Sequence, residues 1–204
     1  LTVSLCEQRS SSASAAAEEG RPSDGAGRTL LAVFETLERS GIPYCITHGY
    51  EGYPQQIKSD VDCIVPAEVR SRRLAALLHD NRTRIGAEVV RVRGTYFVLA
   101  IRNADCPTSF LELDFNTDYR LGDLAFVTGA RLLDSRCRRQ TFWVPAPCLE
   151  FGCYLIRRMV KSSLNDEQGI RLSALYREDP AGCQREVAGF WSVGSAALIL
   201  TAAS

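Results

Sequence analysis

Asp60 and Asp62 stand two residues apart in the run Asp60-Val61-Asp62-Cys63-Ile64-Val65. Side chains alternate across a strand, so both carboxylates fall on one face and Val61 and Cys63 on the other. Two carboxylates on one face of a half-buried strand repel each other, and a divalent cation is the common compensation. A second alternating run, Phe110-Leu111-Glu112-Leu113-Asp114-Phe115, sets Glu112 and Asp114 on one face, opposite Leu111, Leu113 and Phe115. If the two strands lie side by side, Asp60, Asp62 and Asp114 converge on a pair of Mg²⁺ (or Mn²⁺) ions. Three carboxylates holding two such ions suit in-line phosphoryl or nucleotidyl transfer, because the ions clamp the attacking and leaving oxygens and neutralise phosphate charge. Asp-x-Asp alone is a frequent pattern; the glycine loop before it and the Asp114 strand after it give it weight.

The elements that must position these acids start with Tyr44 to Pro66, YCITHGYEGYPQQIKSDVDCIVP. It reads as strand (Tyr44 to Thr47), polar loop (His48 to Ser59) and strand again. In the loop, Gly49 suits either a close approach of backbone to phosphate or an ordinary turn. His48 closes the first strand at the mouth of the site, where it can contact substrate, act as a base or be a hydrogen-bonded structural residue. Glu51 reads as an accessory ligand or a solvated loop acid, Ser59 as a phosphate contact or a turn serine. Lys58 stands beside the Asp60 motif. A helix over Arg28 to Ser40 carries the apolar stripe Leu30, Leu31, Phe34 and Leu37, and Gly41 stops it. Another is expected from Pro66 to about Asp80. Gly86 to Val92 and Thr95 to Ile101 read as strands around a tight Arg93-Gly94 turn. Asp118 lies past the Asp114 strand pattern yet close enough to stand in for Asp114. Arg120 offers a planar fork for phosphate or is a surface arginine. A short helix is expected over Ala130 to Arg138 and an extended segment over Gln140 to Pro145.

Gly49, the polar loop, Asp60-x-Asp62 and the later strand acid Asp114 resemble the nucleotidyltransferase superfamily with the polymerase-beta-like fold. More narrowly, His48-Gly49-Tyr50-Glu51, Ser59-Asp60-Val61-Asp62 and Tyr154-Leu155-Ile156 to Lys161 resemble uncharacterised nucleotidyltransferase-like proteins of bacterial exopolysaccharide gene clusters. The resemblance covers about Arg28 to Trp191. It implies that Asp60, Asp62 and Asp114 are catalytic metal ligands, and that His48, Gly49, Tyr50, Ser59 and Lys161 hold a nucleoside triphosphate such as ATP. Glu51, Lys58, Glu112 and Arg120 are accessory candidates. The superfamily usually has Gly-Ser or Gly-Gly after the first strand; here Tyr50 follows Gly49, which leaves open a catalytically degenerate nucleotide-binding or regulatory module of a larger exopolysaccharide-related protein.

The expected fold is α+β: a mixed or antiparallel sheet of the nucleotidyltransferase type flanked by helices, then a small helical subdomain. Residues 1–27 read as a flexible leader, 28–145 as the core and 146–204 as the helical part. The helical part has helices over Cys148 to Lys161, Asp166 to Glu178 and, after a Pro180-Ala181-Gly182 break, Cys183 to Trp191. Arg157, Arg158 and Lys161 either face phosphates or complement a helix C-terminus. Acids and bases balance at 24 each in 204 residues. No bulk basic field announces nucleic acid, which favours a small acceptor over a transferase that modifies RNA. The eight cysteines (Cys6, Cys45, Cys63, Cys106, Cys137, Cys148, Cys153 and Cys183) include no C-x-x-C pair. They read as reduced thiols of a cytoplasmic protein. No stretch spans a membrane, and a further domain of the natural chain is expected as a possible partner.

Overall fold

A computed structural model describes residues 25–102, 109–121, 124–161 and 164–190. Its centre is a five-stranded sheet built from β1 (Cys45–Ile46), β2 (Val61–Ile64), β3 (Ala87–Arg93), β4 (Tyr96–Ile101) and β5 (Ser109–Asn116). The strand order is β1-β2-β5-β4-β3. β2 and β5 run parallel, and the other neighbours are antiparallel, so the sheet is mixed.

One face of the sheet is apolar because every second residue is: Ile46, Val61, Cys63, Phe97, Leu99, Leu111, Leu113 and Phe115 are all buried. Each large side chain buried this way stabilises the fold by roughly 1.5–3 kcal/mol. The helices α1 (Gly25–Arg39) and α2 (Ser71–Asp80) cover that face with Leu30, Val33, Phe34, Leu37, Leu74 and Leu78. Phe34 stacks on Tyr44 at the sheet edge, with ring centroids 4.5 Å apart.

Several boundaries differ from the sequence reading. α1 takes in Gly25 to Gly27, assigned above to the leader; the rest of that leader lies outside the described residues. Pro66 to Arg70 is turn and coil, and α2 begins only at Ser71. A short α3 (Arg82–Ile85) follows, ended by Gly86. The β3–β4 turn is Gly94-Thr95, one residue later than expected, with Gly94 at φ 62° where a side chain would be strained. Asp118 is no loop residue: it opens β6 (Asp118–Leu121), which pairs with β7 (Leu124–Thr128). α4 (Gly129–Asp134) is shorter than expected, because Cys137 to Arg139 leaves it to form β8 against β9 (Phe142–Val144).

Three helices follow among the described residues: α5 (Pro147–Val160), α6 (Asp166–Glu178) and α7 (Pro180–Phe190). Asn165 and Gln168 form a reciprocal capping box that starts α6. The expected break at Pro180 does end α6, but it is shorter than expected: Pro180 itself opens α7 in place of Cys183, its missing N–H costing nothing at the first position. Asp179 caps it by accepting from Gly182 N at 2.9 Å. The three share a small core of Phe151, Leu155, Leu172, Leu175, Cys183 and Val187. A further cluster, joining Cys45 and Ile64 to Leu149 and Cys153, packs α5 onto the second face of the sheet. Among the described residues no helix is long and apolar enough to cross a membrane.

Candidate functional site

That second face carries the acids. The parallel register pairs Asp62 with Asp114 across β2 and β5, and Ile64 with Asn116 beyond them. Asp60 immediately precedes β2 and is exposed. The expectation that the two acidic strands are neighbours therefore holds. Their surroundings leave them short of partners. One oxygen of Asp114, Oδ1, is buried and has no hydrogen-bond partner. Burial and the nearby Asp60 push the Asp62 carboxyl up to about 6, and Asp114 adds to the push; Arg157 and Lys161 only oppose it.

His48 contacts Asp62, with Nε2 at 3.3 Å from Oδ2. It does not supply positive charge. Its Nδ1 lies 2.9 Å from Thr47 Oγ1, which donates in turn to the Asp62 carbonyl, so Nδ1 carries the hydrogen and Nε2 accepts from Arg157. Burial and the surrounding Arg157, Arg158, Arg171 and Lys161 hold the imidazole neutral, its pKa pushed down to about 3.

A bare carboxylate pair with an orphaned buried oxygen is an oxygen donor set that suits Mg²⁺ or Mn²⁺. Asp62 and Asp114 would be its main ligands, with Asp60 at the rim. Among the described residues no three His, Cys, Asp or Glu side chains already form a cage.

Two clefts open near this face, and Asp62 lines one of them. A smaller one, about 310 Å³, is lined by Thr47, Asp62, Asn116, Asp118, Arg120, Arg157 and Lys161 among others. A larger one, about 760 Å³, opens between the Gly49 loop and α6. His48, Gly49, Tyr50 and Ser59 all line the larger cleft, as do the accessory candidates Glu51 and Lys58. Lys161 is separated from them in the smaller cleft, together with Arg120. Gly49 sits at φ 75°, a conformation that favours glycine. Ser59 is exposed and bonds the Asp60 carbonyl at 3.3 Å. Glu112 is exposed on the Asp114 face, where the Tyr96 hydroxyl bonds it. Asp118 does not replace Asp114: it accepts from Gly129 N at 2.9 Å and pairs with Arg120 at 3.6 Å.

Tyr50 turns away from solvent. Its hydroxyl donates to Glu150 on α5 and accepts from Arg139 at 3.3 Å. Glu150 also accepts from Arg171, which pairs with Glu51 as well. Arg171 lies over the rings of Tyr50 and Tyr154, 5.0 and 5.4 Å from their centroids. This cluster was missed from the sequence. Its signal is an acid, Glu150, inside an otherwise apolar helical stripe.

Two solved structures share this architecture. An antigenic nucleotidyltransferase-like protein from Paracoccidioides brasiliensis superposes with a TM-score of 0.56 at 15% identity, over 89% of this chain and 93% of that one. The fold is nucleotidyltransferase-like. The antibiotic-resistance factor ANT(2'')-Ia follows with a TM-score of 0.50 at 12% identity, over 86% of this chain and 94% of that one. No family model and no curated protein matches the sequence. Neither structural similarity bears on the narrower resemblance to exopolysaccharide-cluster proteins.

Proposed function

We propose that the chain is a Mg²⁺-dependent nucleotidyltransferase that moves a nucleotidyl group from a nucleoside triphosphate to a small hydroxyl-bearing acceptor. The observation that carries this reading is the parallel pairing of Asp62 with Asp114, side by side with one buried Asp114 oxygen left without a hydrogen-bond partner, on the sheet of a nucleotidyltransferase-like fold. A divalent cation at these acids supplies charge neutralisation for the phosphates. The larger cleft is assigned to the nucleotide. Lys58 and Arg158 line it, and neither has a carboxylate partner among the described residues. Arg158 Nε is buried and unpartnered. In the transfer, the acceptor hydroxyl oxygen bonds the α-phosphorus. The bond from that phosphorus to the bridging oxygen breaks, pyrophosphate leaves, and the hydroxyl proton passes to Asp114. A sugar of polysaccharide assembly as acceptor rests on the sequence resemblance alone.

A second reading is favoured by Tyr50. A residue that could bond phosphate after Gly49 is committed to Glu150 instead. The same fold would then bind a nucleotide as a regulatory module without turnover. A thermal-shift titration with each of the four ribonucleoside triphosphates, with and without Mg²⁺, separates the cases. A metal-dependent shift lost in Asp60→Asn/Asp62→Asn supports the enzyme. A shift that is indifferent to metal and to both substitutions supports the module.

A further inference from the structure

We propose that the smaller cleft is the acceptor site and that it is built for a small polyhydroxylated anion, bearing a phosphate or a carboxylate. Arg157 and Lys161 hold the anionic group, and the acceptor hydroxyl lies toward Asp62. The proposal rests on the transfer reading, since it describes the second substrate of that reaction.

Position comes first. Asp62 itself lines this cleft, so a molecule inside it sits directly beside the acids. The nucleotide residues of the Gly49 loop line the other cleft, so the two substrates would approach the acids from different sides. At about 310 Å³ the space is less than half that of the larger cleft and lies at the small end of the range for ligand pockets.

Charge decides the class. The Asp118 carboxylate is satisfied by Gly129 N and by Arg120. Arg157 bonds His48 and Tyr119, neither of which is a carboxylate. Lys161, exposed at the C-cap of α5, pairs with no carboxylate among the described residues. Once Asp62 is matched by a divalent cation, Arg157 and Lys161 are in excess on this wall. An aminated, polycationic acceptor would face them at close range and be repelled. An anionic group is attracted, and Arg157 offers it a planar fork. The Asn116 amide and the Thr47 hydroxyl, both lining the cleft, supply neutral partners for acceptor hydroxyls.

The test is a calorimetric titration of the full chain, alone and with a non-hydrolysable ATP analogue and Mg²⁺. The probes are inorganic phosphate, a hexose 6-phosphate, a hexuronate, the parent hexose and an aminated polyol. Binding of the hexose 6-phosphate or the hexuronate, weakened about tenfold by Lys161→Met (one charge-assisted contact,) and unchanged by Arg158→Met in the larger cleft, is the expected result. Which of the two binds names the anionic group. Preference for the aminated polyol, absence of binding by every anionic probe under both conditions, loss of the anion in Arg158→Met alone, or its displacement by ATP each overturns the proposal. If an anion binds in a Lys161-dependent way but no nucleotide does, the transfer reading fails and the anion site stands. If the nucleotide binds with Mg²⁺ and no anion does, the reverse holds.

Discussion

Asp62 and Glu150 are both carboxylates taken out of water, and their neighbourhoods are opposites. Glu150 is 1% exposed and receives hydrogen bonds from Tyr50 and Arg171. Asp62 is flanked by Asp60 and Asp114, and the side chain it contacts is a neutral histidine. Burial pushes both carboxyls up. Around Glu150 the fold answers with an arginine stacked on two tyrosines, which ties the Gly49 loop to α5 and α6. Around Asp62, Arg157 and Lys161 only partly offset burial and Asp60, and one buried oxygen of Asp114 has no hydrogen-bond partner. A buried carboxyl whose hydrogen bonds are made marks scaffold; one left short of partners, kept in a cleft, marks a place where something binds.

The comparison breaks first if Asp62 proves structural. Asp62→Asn should lower nucleotidyl transfer on the order of a thousandfold, since the several kcal/mol of charge stabilisation at a metal site are lost. The melting temperature should stay the same or rise, because a repelled carboxylate has been removed. Glu150→Ala should do the opposite. It leaves Arg171 buried beside the lone exposed acid Glu51, and urea unfolding should show a loss of about 3–5 kcal/mol.

A smaller effect is a pH dependence. Folding raises the Asp62 pKa from 3.8 to about 6. The protonated acid is therefore favoured in the native state, and its stabilising contribution is complete below about pH 4 and lost as pH rises through 6. Unfolding of wild type and Asp62→Asn, followed in parallel from pH 4 to pH 7, should diverge in favour of the variant by no more than about 3 kcal/mol. Curves that stay parallel would mean the acids are compensated after all. Smallest is Tyr50→Phe, which removes one hydrogen bond from Glu150 while Arg171 remains. About 1 kcal/mol of stability should go, with nucleotide affinity unchanged if Tyr50 serves only as an anchor.

The strand periodicity made the acid pair legible: Leu111, Leu113 and Phe115 alternate so cleanly with Glu112 and Asp114 that the face assignment had one solution. α6 was legible to the residue, because Asn165 and Gln168 cap it and Asp179-Pro180 ends it. The β6–β7 hairpin was missed. Its strands are short, and Gly122-Asp123 between Leu121 and Leu124, a two-residue turn signal in the sequence, was passed over. Nor did the sequence show that Lys161 and the Gly49 loop face different clefts, since that follows from how α5 crosses the sheet. Glu150 escaped because its partners Tyr50 and Arg171 are 100 and 21 residues away in sequence.

Mn²⁺ binding followed by electron paramagnetic resonance, in the presence of ATP, tests the contrast most directly. Wild type and Glu150→Gln should both immobilise the ion, and Asp114→Asn should release it. Retention by Asp114→Asn, or loss in Glu150→Gln alone, would contradict the assignment of Asp62 and Asp114 as the cation site.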